Sequence, residues 1–455
     1  MDRRLFLRGG SAFSLATALA ACGGGGGAPG VTTGVTLDPQ PGAPGTPGTG
    51  NPSQPPSQGP RAPGELGYAF GARHDLVGGR YPHGIMPRVS ASEMDAVIKS
   101  CYDRWKASQL RSFPDFRDHY GNLVTGARYI RFDNNYATVS EAVSYGMLIF
   151  VVMAGHDPEA KACFDGLFKT VRARPAYGHG DRGRYLFDWR LHFDGSSAGG
   201  GWNAHDGDED IAQALLMAHR QWGSDGEINY LQEAVNTINA MRSVNWAASG
   251  EPRYGQRHSS RISDYMTGHF RSYRKYSGDA FWDLSRERCL QLVQHTVNNF
   301  SPVARLVPDF IVDTNTGWPT VSPGYVVDPG PWERWYGPNS CRVPWRWGTD
   351  FVYSGDQAWG ELASGITRWI KNDCGGDPNN VCPDYNLDGS PVNGHRYFAE
   401  GIVGPLLCGA MTSPEHQDFL DALWTNNARQ FTTDYYDSEL QLIPMIVASG
   451  NWWNP

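Results

Sequence analysis

The chain has 455 residues and a formal net charge of −8, from 39 Lys and Arg against 47 Asp and Glu. That balance argues against a nucleic-acid partner, which would call for a basic face, and is compatible with neutral or cationic substrates. Aromatic residues reach 12%, including 16 Trp.

Met1-Asp2-Arg3-Arg4-Leu5-Phe6-Leu7-Arg8 is basic and is followed by a mild apolar run from Ser11 to Ala21 and then Cys22. Basic, apolar and small residues in that order read as an export signal too short to span a bilayer. Arg3-Arg4-x-Phe6-Leu7 resembles a twin-arginine signal, and Leu19-Ala20-Ala21-Cys22 a lipobox that would lipidate Cys22. The alternative is an ordinary cleaved signal with an incidental cysteine. Residues 23–63 are Gly, Pro, Thr and Ser with almost no apolar bulk, as expected of a flexible tether. The chain is therefore expected to be exported, then lipid-anchored to a bacterial cell envelope or secreted, and to meet a membrane only through that lipid.

Residues 64–455 contain no second linker. Apolar residues recur at helical spacing over about a dozen segments: 91–108, 139–155, 157–173, 208–222, 227–243, 262–276, 278–298, 344–354, 356–371, 395–410, 414–427 and 436–449. Strand-like alternation is scarce, so this pattern alone predicts a large all-α domain.

Two of these segments begin with acids. Val139-Ser140-Glu141-Ala142 and Ala204-His205-Asp206-Gly207-Asp208-Glu209-Asp210 each precede an apolar run, and both read as the first turn of a buried helix. An acid there could simply complement the helix dipole, and for Asp206, Asp208 or Asp210 taken singly that reading stands beside a catalytic one. Glu141 precedes an almost uncharged run to Ala154, and apolar surroundings would raise its pKa and keep its proton near neutral pH. A proton-holding glutamate near ionised aspartates is the division of labour glycoside hydrolysis needs.

Ala204-His205-Asp206-Gly207-Asp208-Glu209-Asp210-Ile211-Ala212 and its continuation to Trp222 resemble the signature of glycoside hydrolase family 8, with His205 standing where Ser or Thr is usual. Ser140-Glu141-x-x-Ser144-Tyr145-Gly146-Met147 is similar to that family's general-acid segment. Cys341-Arg342-Val343-Pro344-Trp345-Arg346 and Tyr435-Tyr436-Asp437 also match, so the likeness runs over roughly residues 66–455. The resemblance implies an (α/α)6 barrel with long loops along an open groove. It also implies inverting, endo-acting hydrolysis of β-1,4 bonds in chitosan or in a cellulose-type or mixed-linkage β-glucan. Glu141 would be the general acid, and Asp206, Arg342, Asn339, Tyr145 and one of Tyr435 or Tyr436 would line the cleaved subsite.

Asn339 departs from the commonest branch of the family, which carries an aspartate base three residues before the arginine. An amide cannot take a proton from water in this role. A second branch also has asparagine there and draws its base from the loop just upstream, which here offers Asp328 and Glu333. The resemblance favours Asp328 as base, with Glu333 as the alternative. Chitosan gains appeal from the acidic residues Asp188, Asp194, Asp206, Asp208, Glu209, Asp210, Asp328 and Glu333, which could face glucosaminium groups. Trp189, Trp202, Trp318, Trp332 and Trp335 lie in segments broken by Gly and Pro, where a sugar-stacking role competes with ordinary packing.

In an exported protein, Cys374 and Cys382 could close the loop between them as a disulfide. The cysteine spacing suggests no zinc, and Asp384-Tyr385-Asn386-Leu387-Asp388-Gly389 opens like a calcium loop but has His395 at its twelfth position instead of Glu. No metal or cofactor is expected, and the protein is expected to be monomeric. Two other readings compete: a carbohydrate-binding lipoprotein that has lost catalysis at Asn339, and a polysaccharide lyase on a similar helical barrel.

Overall fold

The computed structural model describes residues 65–254, 257–324, 326–327 and 330–455. The export segment, Cys22, the linker and Asp328 lie outside the described residues. No described helix is long and apolar enough to cross a membrane.

Twelve α-helices occur among the described residues, close to the positions their periodicity predicts. They are α1 Ala91–Gln109, α2 Ser140–Met153, α3 Ala160–Ala173, α4 His205–Trp222, α5 Tyr230–Val244, α6 Thr267–Ser277, α7 Phe281–Phe300, α8 Val343–Ser354, α9 Gln357–Asp373, α10 Glu400–Ala410, α11 Gln417–Arg429 and α12 Asp437–Ala448.

Composition sorts them into two layers. In α2 every residue except Glu141 is buried, and α10 and α12 are almost as fully covered. A helix apolar on all sides has nowhere to go but the interior. In α3 the buried residues Cys163, Phe164, Leu167 and Val171 recur every three or four positions while Lys161 and Ala162 face solvent, and α9 repeats the pattern with Trp359, Leu362, Ile366 and Ile370. Such helices bury one stripe and suit an outer layer.

The packing follows. The even-numbered helices close a ring: α2 on α4, α4 on α6, α6 on α8, α8 on α10, α10 on α12, and α12 back on α2. The odd-numbered helices cover it, α3 against α2, α5 against α4 and α6, α7 against α6, α9 against α8 and α10, α11 against α10 and α12, and α1 against α12. This is an (α/α)6 barrel.

Short strands in the connecting loops tie the barrel's edge. β1 (Leu110–Ser112) pairs with β4 (Arg128–Ile130), and β2 (Phe116–Arg117) with β3 (Leu123–Val124). β5 (Thr138–Val139) pairs antiparallel with β6 (Arg190–Leu191) and runs directly into α2. β7 (Ser260–Arg261), β8 (Phe310–Val312) and β9 (Thr320–Val321) form a three-stranded sheet in which Arg261 faces Phe310.

The expected Cys374–Cys382 bridge is not formed, and both cysteines are buried free thiols. Cys374 Sγ lies 3.5 Å from the Lys371 carbonyl and Cys382 Sγ 3.1 Å from the Asp384 carbonyl. The loop is pinned instead by Arg396, whose guanidinium meets both oxygens of Asp373 at 2.7 and 2.9 Å, and by the Tyr385 hydroxyl on Asp373 at 2.8 Å.

Candidate active site

The starts of α2 and α4 meet at one point. The Ser140 amide donates to the Trp189 carbonyl at 2.8 Å, which fixes the entry of α2 beside β6. A side chain at Gly207 would place its Cβ 2.6 Å from the Ser140 Cβ, so only glycine lets the two first turns approach this closely. Neither helix has a side-chain cap at its start. The acids of these turns take their side-chain partners from elsewhere in the fold.

Arg342, buried to 1% exposure, joins the two segments. Its Nη1 contacts Glu141 Oε1 and reaches Asp206 Oδ2 at 3.0 Å, while Nη2 donates to Ser263 Oγ at 2.8 Å and Asn339 Oδ1 at 3.0 Å. Arg261 Nη2 pairs with the other oxygen of Asp206 at 2.8 Å. The Tyr435 hydroxyl donates to Glu141 Oε2 at 2.8 Å, and the Tyr145 hydroxyl to Oε1 at 3.3 Å.

The two carboxyls end with opposite proton affinities. Burial raises the pKa of Glu141 and the negative charge of Asp206 adds to this; Arg342 and the Tyr435 hydrogen bond oppose it, and the balance is upward. Burial would raise Asp206 too, but Arg261 and Arg342 together hold it well below the usual carboxylate range. The Glu141 side chain keeps 19% of its surface accessible against 5% for Asp206, so the group that holds its proton is also the more open one.

Asp208 and Asp210 are tied into the surrounding fold. Asp208 accepts from the Phe187 amide at 2.9 Å and from Asn203 at 2.8 Å, and burial pushes its carboxyl up to about 7. Asp210 takes both arms of Arg346, at 2.7 and 2.5 Å, and His269 at 2.8 Å. Asp188 is buried on Ser197 and the Gly201 amide. Of the eight acids that could have faced a cationic sugar, the seven described are all buried except Asp194.

Asn339 acts as a two-way connector. Its Nδ2 donates to Asp309 at 2.9 Å while its Oδ1 accepts from Arg342 at 3.0 Å and Arg261 at 3.4 Å. Asp309, fully buried, also accepts from the Asn339 amide at 3.1 Å, the Ser340 amide at 2.7 Å and Ser340 Oγ at 2.8 Å. An aspartate at 339 would lose the donor and set a second carboxylate against Asp309. The amide is what this pairing requires.

Glu333 is fully buried; its oxygens accept from Ser322 Oγ, from the Val326 amide at 3.0 and 3.1 Å and from the Val327 amide at 2.7 Å. It gathers the backbone immediately before Asp328.

Tyr145 is fully buried and holds Glu141, with no surface left to offer a sugar. The Tyr436 hydroxyl holds the Pro338 carbonyl beside Asn339, and Tyr436 does so from φ +67°, a conformation that costs a non-glycine residue energy. The five tryptophans flagged for sugar stacking all keep exposed surface, most of all Trp202 at 52% and Trp318 at 78%.

Sequence reasoning missed Arg261, Ser263, Asp264 and Asp309. No local pattern marks them, because β7 and β8 bring Arg261 and the residue before Phe310 together across 48 positions of chain.

A helical barrel with a proton-holding glutamate and an ionised aspartate on one shared arginine defines a glycoside hydrolase architecture. Residues 100–321 match the model of glycosyl hydrolases family 8. The chain is 33% identical to a β-glucanase from Niallia circulans over 80% of this chain and 87% of that one, and 27% identical to endoglucanase A of Acetivibrio thermocellus over 83% and 74%. The apo structure of a β-1,3-1,4-glucanase from Paenibacillus sp. X4 superposes with a TM-score of 0.76 at 32% identity, covering 83% of this chain and 97% of that one. The chain belongs to glycoside hydrolase family 8, and it is a glycoside hydrolase.

Proposed function

We propose that the protein cleaves internal β-1,4 bonds of a neutral β-glucan, cellulose-type or mixed-linkage, with inversion of configuration, from the cell envelope. The observation that carries this is the pairing of Glu141 and Asp206 through Arg342, with one carboxyl's proton affinity raised and the other's lowered.

Glu141 gives its proton to the glycosidic oxygen as the bond to the anomeric carbon breaks, so the leaving chain departs as an alcohol. Arg342 and Tyr435 stabilise the carboxylate this leaves behind. Water adds to the opposite face of the anomeric carbon and passes a proton to a base, which inverting hydrolysis sets roughly 6.5–9.5 Å from the acid. We assign that base to Asp328. Support comes from the other candidate, Glu333, whose buried carboxylate is already occupied by Ser322 and by the Val326 and Val327 amides.

A neutral glucan is favoured over chitosan by the burial of the acids that would have drawn a polycation, and by the β-glucanase and β-1,3-1,4-glucanase named among the relatives. A cleft of about 300 Å³ lined by Arg117, His119, Arg174, Tyr177 and Asp188 opens one residue from Trp189. His119 and Tyr177 stack within it at 5.1 Å. Lipidation at Cys22 would tether the barrel through the linker, and Cys22→Ala should move it from the membrane to the soluble fraction.

Reducing-sugar release from barley-type glucan, carboxymethyl-cellulose and chitosan, measured side by side, tests the substrate: glucan hydrolysis supports the reading, and chitosan as preferred substrate overturns it. Glycan binding without new reducing ends would instead indicate a binding protein. For the base, Asp328→Ala should lose most turnover and regain part of it with azide, whereas Glu333→Ala should lose turnover without azide rescue. Wild-type turnover in Asp328→Ala rejects the assignment.

A further inference from the structure

His205 and Glu209 lie four residues apart on one face of α4, and Asp264 ends the short turn Ile262–Asp264 before α6. One ligand atom from each falls within 4.8 Å of the others, and all three residues are buried, to 2%, 0% and 0% exposure. His205 is also the position at which the chain departs from the family signature.

One feature of this cluster lacks an explanation within the protein. Neither carboxyl oxygen of Glu209 has a hydrogen-bond partner. Ionised, the group would be an uncompensated buried charge; neutral, it would still carry an O–H with nothing to receive it. His205 Nε2 pairs with Asp264 Oδ2 at 2.7 Å and so joins the start of α4 to that turn. Both oxygens of Asp264 also accept from Arg261 Nε, at 2.9 and 3.0 Å, the kind of outer contact that fixes a ligating carboxylate in place.

We propose that His205, Glu209 and Asp264 form a buried site for a first-row divalent cation, with zinc as the natural probe. One imidazole and two carboxylates suit zinc, whereas calcium and magnesium call for an all-oxygen set with more ligands. The cation would supply the positive charge that the two oxygens of Glu209 lack. It would fasten the first turn of α4 to the turn that follows Arg261, and thereby brace the Arg261–Asp206 pair. A serine or threonine at position 205 could not reach it, so the site is particular to chains with histidine there.

The test uses the tag-free full chain, stripped with chelator, dialysed and titrated with zinc chloride while zinc content and thermal unfolding are followed. The wild type should retain roughly one zinc per chain, and its Tm should rise by a few degrees with zinc and fall again with chelator. His205→Ser, which restores the residue type of the signature, and Glu209→Gln should both lose the bound zinc and the response of Tm to it. If Glu209→Gln does not fold, His205→Ser alone decides. A wild type that retains no zinc and whose Tm ignores both zinc and chelator overturns the proposal, as does a His205→Ser variant that keeps the wild-type stoichiometry.

Discussion

Glu141 and Asp206 occupy the same kind of place, the first turn of an inner barrel helix with no capping side chain, and both are recessed in the protein. Their local sequence and helix dipole would treat them alike. The difference lies in what the loops deliver: Asp206 receives two guanidinium groups, one on each oxygen, while Glu141 shares one of them and is otherwise held by tyrosine hydroxyls. Burial wins at Glu141 and counter-charge wins at Asp206. The lesson is that the proton affinity of each carboxyl here is set by tertiary partners from distant loops rather than by the helices that carry them.

Removing the shared partner should have the largest effect. Arg342→Ala leaves two neighbouring carboxyls without their common cation, and losing one member of a buried ion network costs about 3–5 kcal/mol. A calorimetric Tm should fall accordingly, and glucan hydrolysis should vanish. A variant with wild-type Tm would mean that Arg342 does not hold the two segments together.

Next is the connector. Asn339→Asp sets a second carboxylate where Asp309 now accepts at 2.9 Å, breaking a buried polar network at a cost of roughly 1–3 kcal/mol. Combining it with Asp309→Asn restores a donor–acceptor pair with the roles exchanged. The double variant should be more stable than Asn339→Asp alone in thermal or chemical denaturation; additive losses would show that Asp309 and Asn339 are not coupled.

Arg261→Gln sharpens the contrast more gently. Asp206 loses one of the two charges that depress its pKa, so its pKa rises toward the ordinary carboxylate range, and an opposite charge at this distance is worth about 1–3 units. If activity depends on ionised Asp206, the acidic limb of the kcat/KM profile should move upward in pH. An unmoved limb would show that Asp206 ionisation does not limit activity on that side.

Much of this was legible in the sequence. The twelve helices announce themselves through apolar periodicity, and the all-apolar runs of α2 and α10 already separate an inner from an outer layer. Glu141, Asp206 and Arg342 are marked by motifs, and their meeting depends on Gly207, itself part of a motif. What stayed hidden comes from register between strands two or three residues long, too short to carry a pattern. That register places Arg261 opposite Phe310 and so beside Asp309 and Asn339. The oddity of Asn339 was visible, but its reason, the carboxylate of Asp309, was not. The acidic residues behind the chitosan reading are a similar case: close in sequence they look exposed, and the fold buries most of them on amides and arginines. Cys374 and Cys382 looked like a bridge for the same kind of reason, being close in sequence and set around a loop.

The most direct test of the central claim compares Glu141→Gln with wild type on two substrates: barley-type glucan, whose leaving sugar needs a proton, and a dinitrophenyl cello-oligosaccharide, whose leaving group does not. Turnover of the glucan should fall by about 10²–10⁴-fold, the usual worth of a general acid, while turnover of the aryl glycoside should change far less. Equal losses on both substrates, or a modest loss on the glucan, would contradict the assignment of Glu141 as the proton donor.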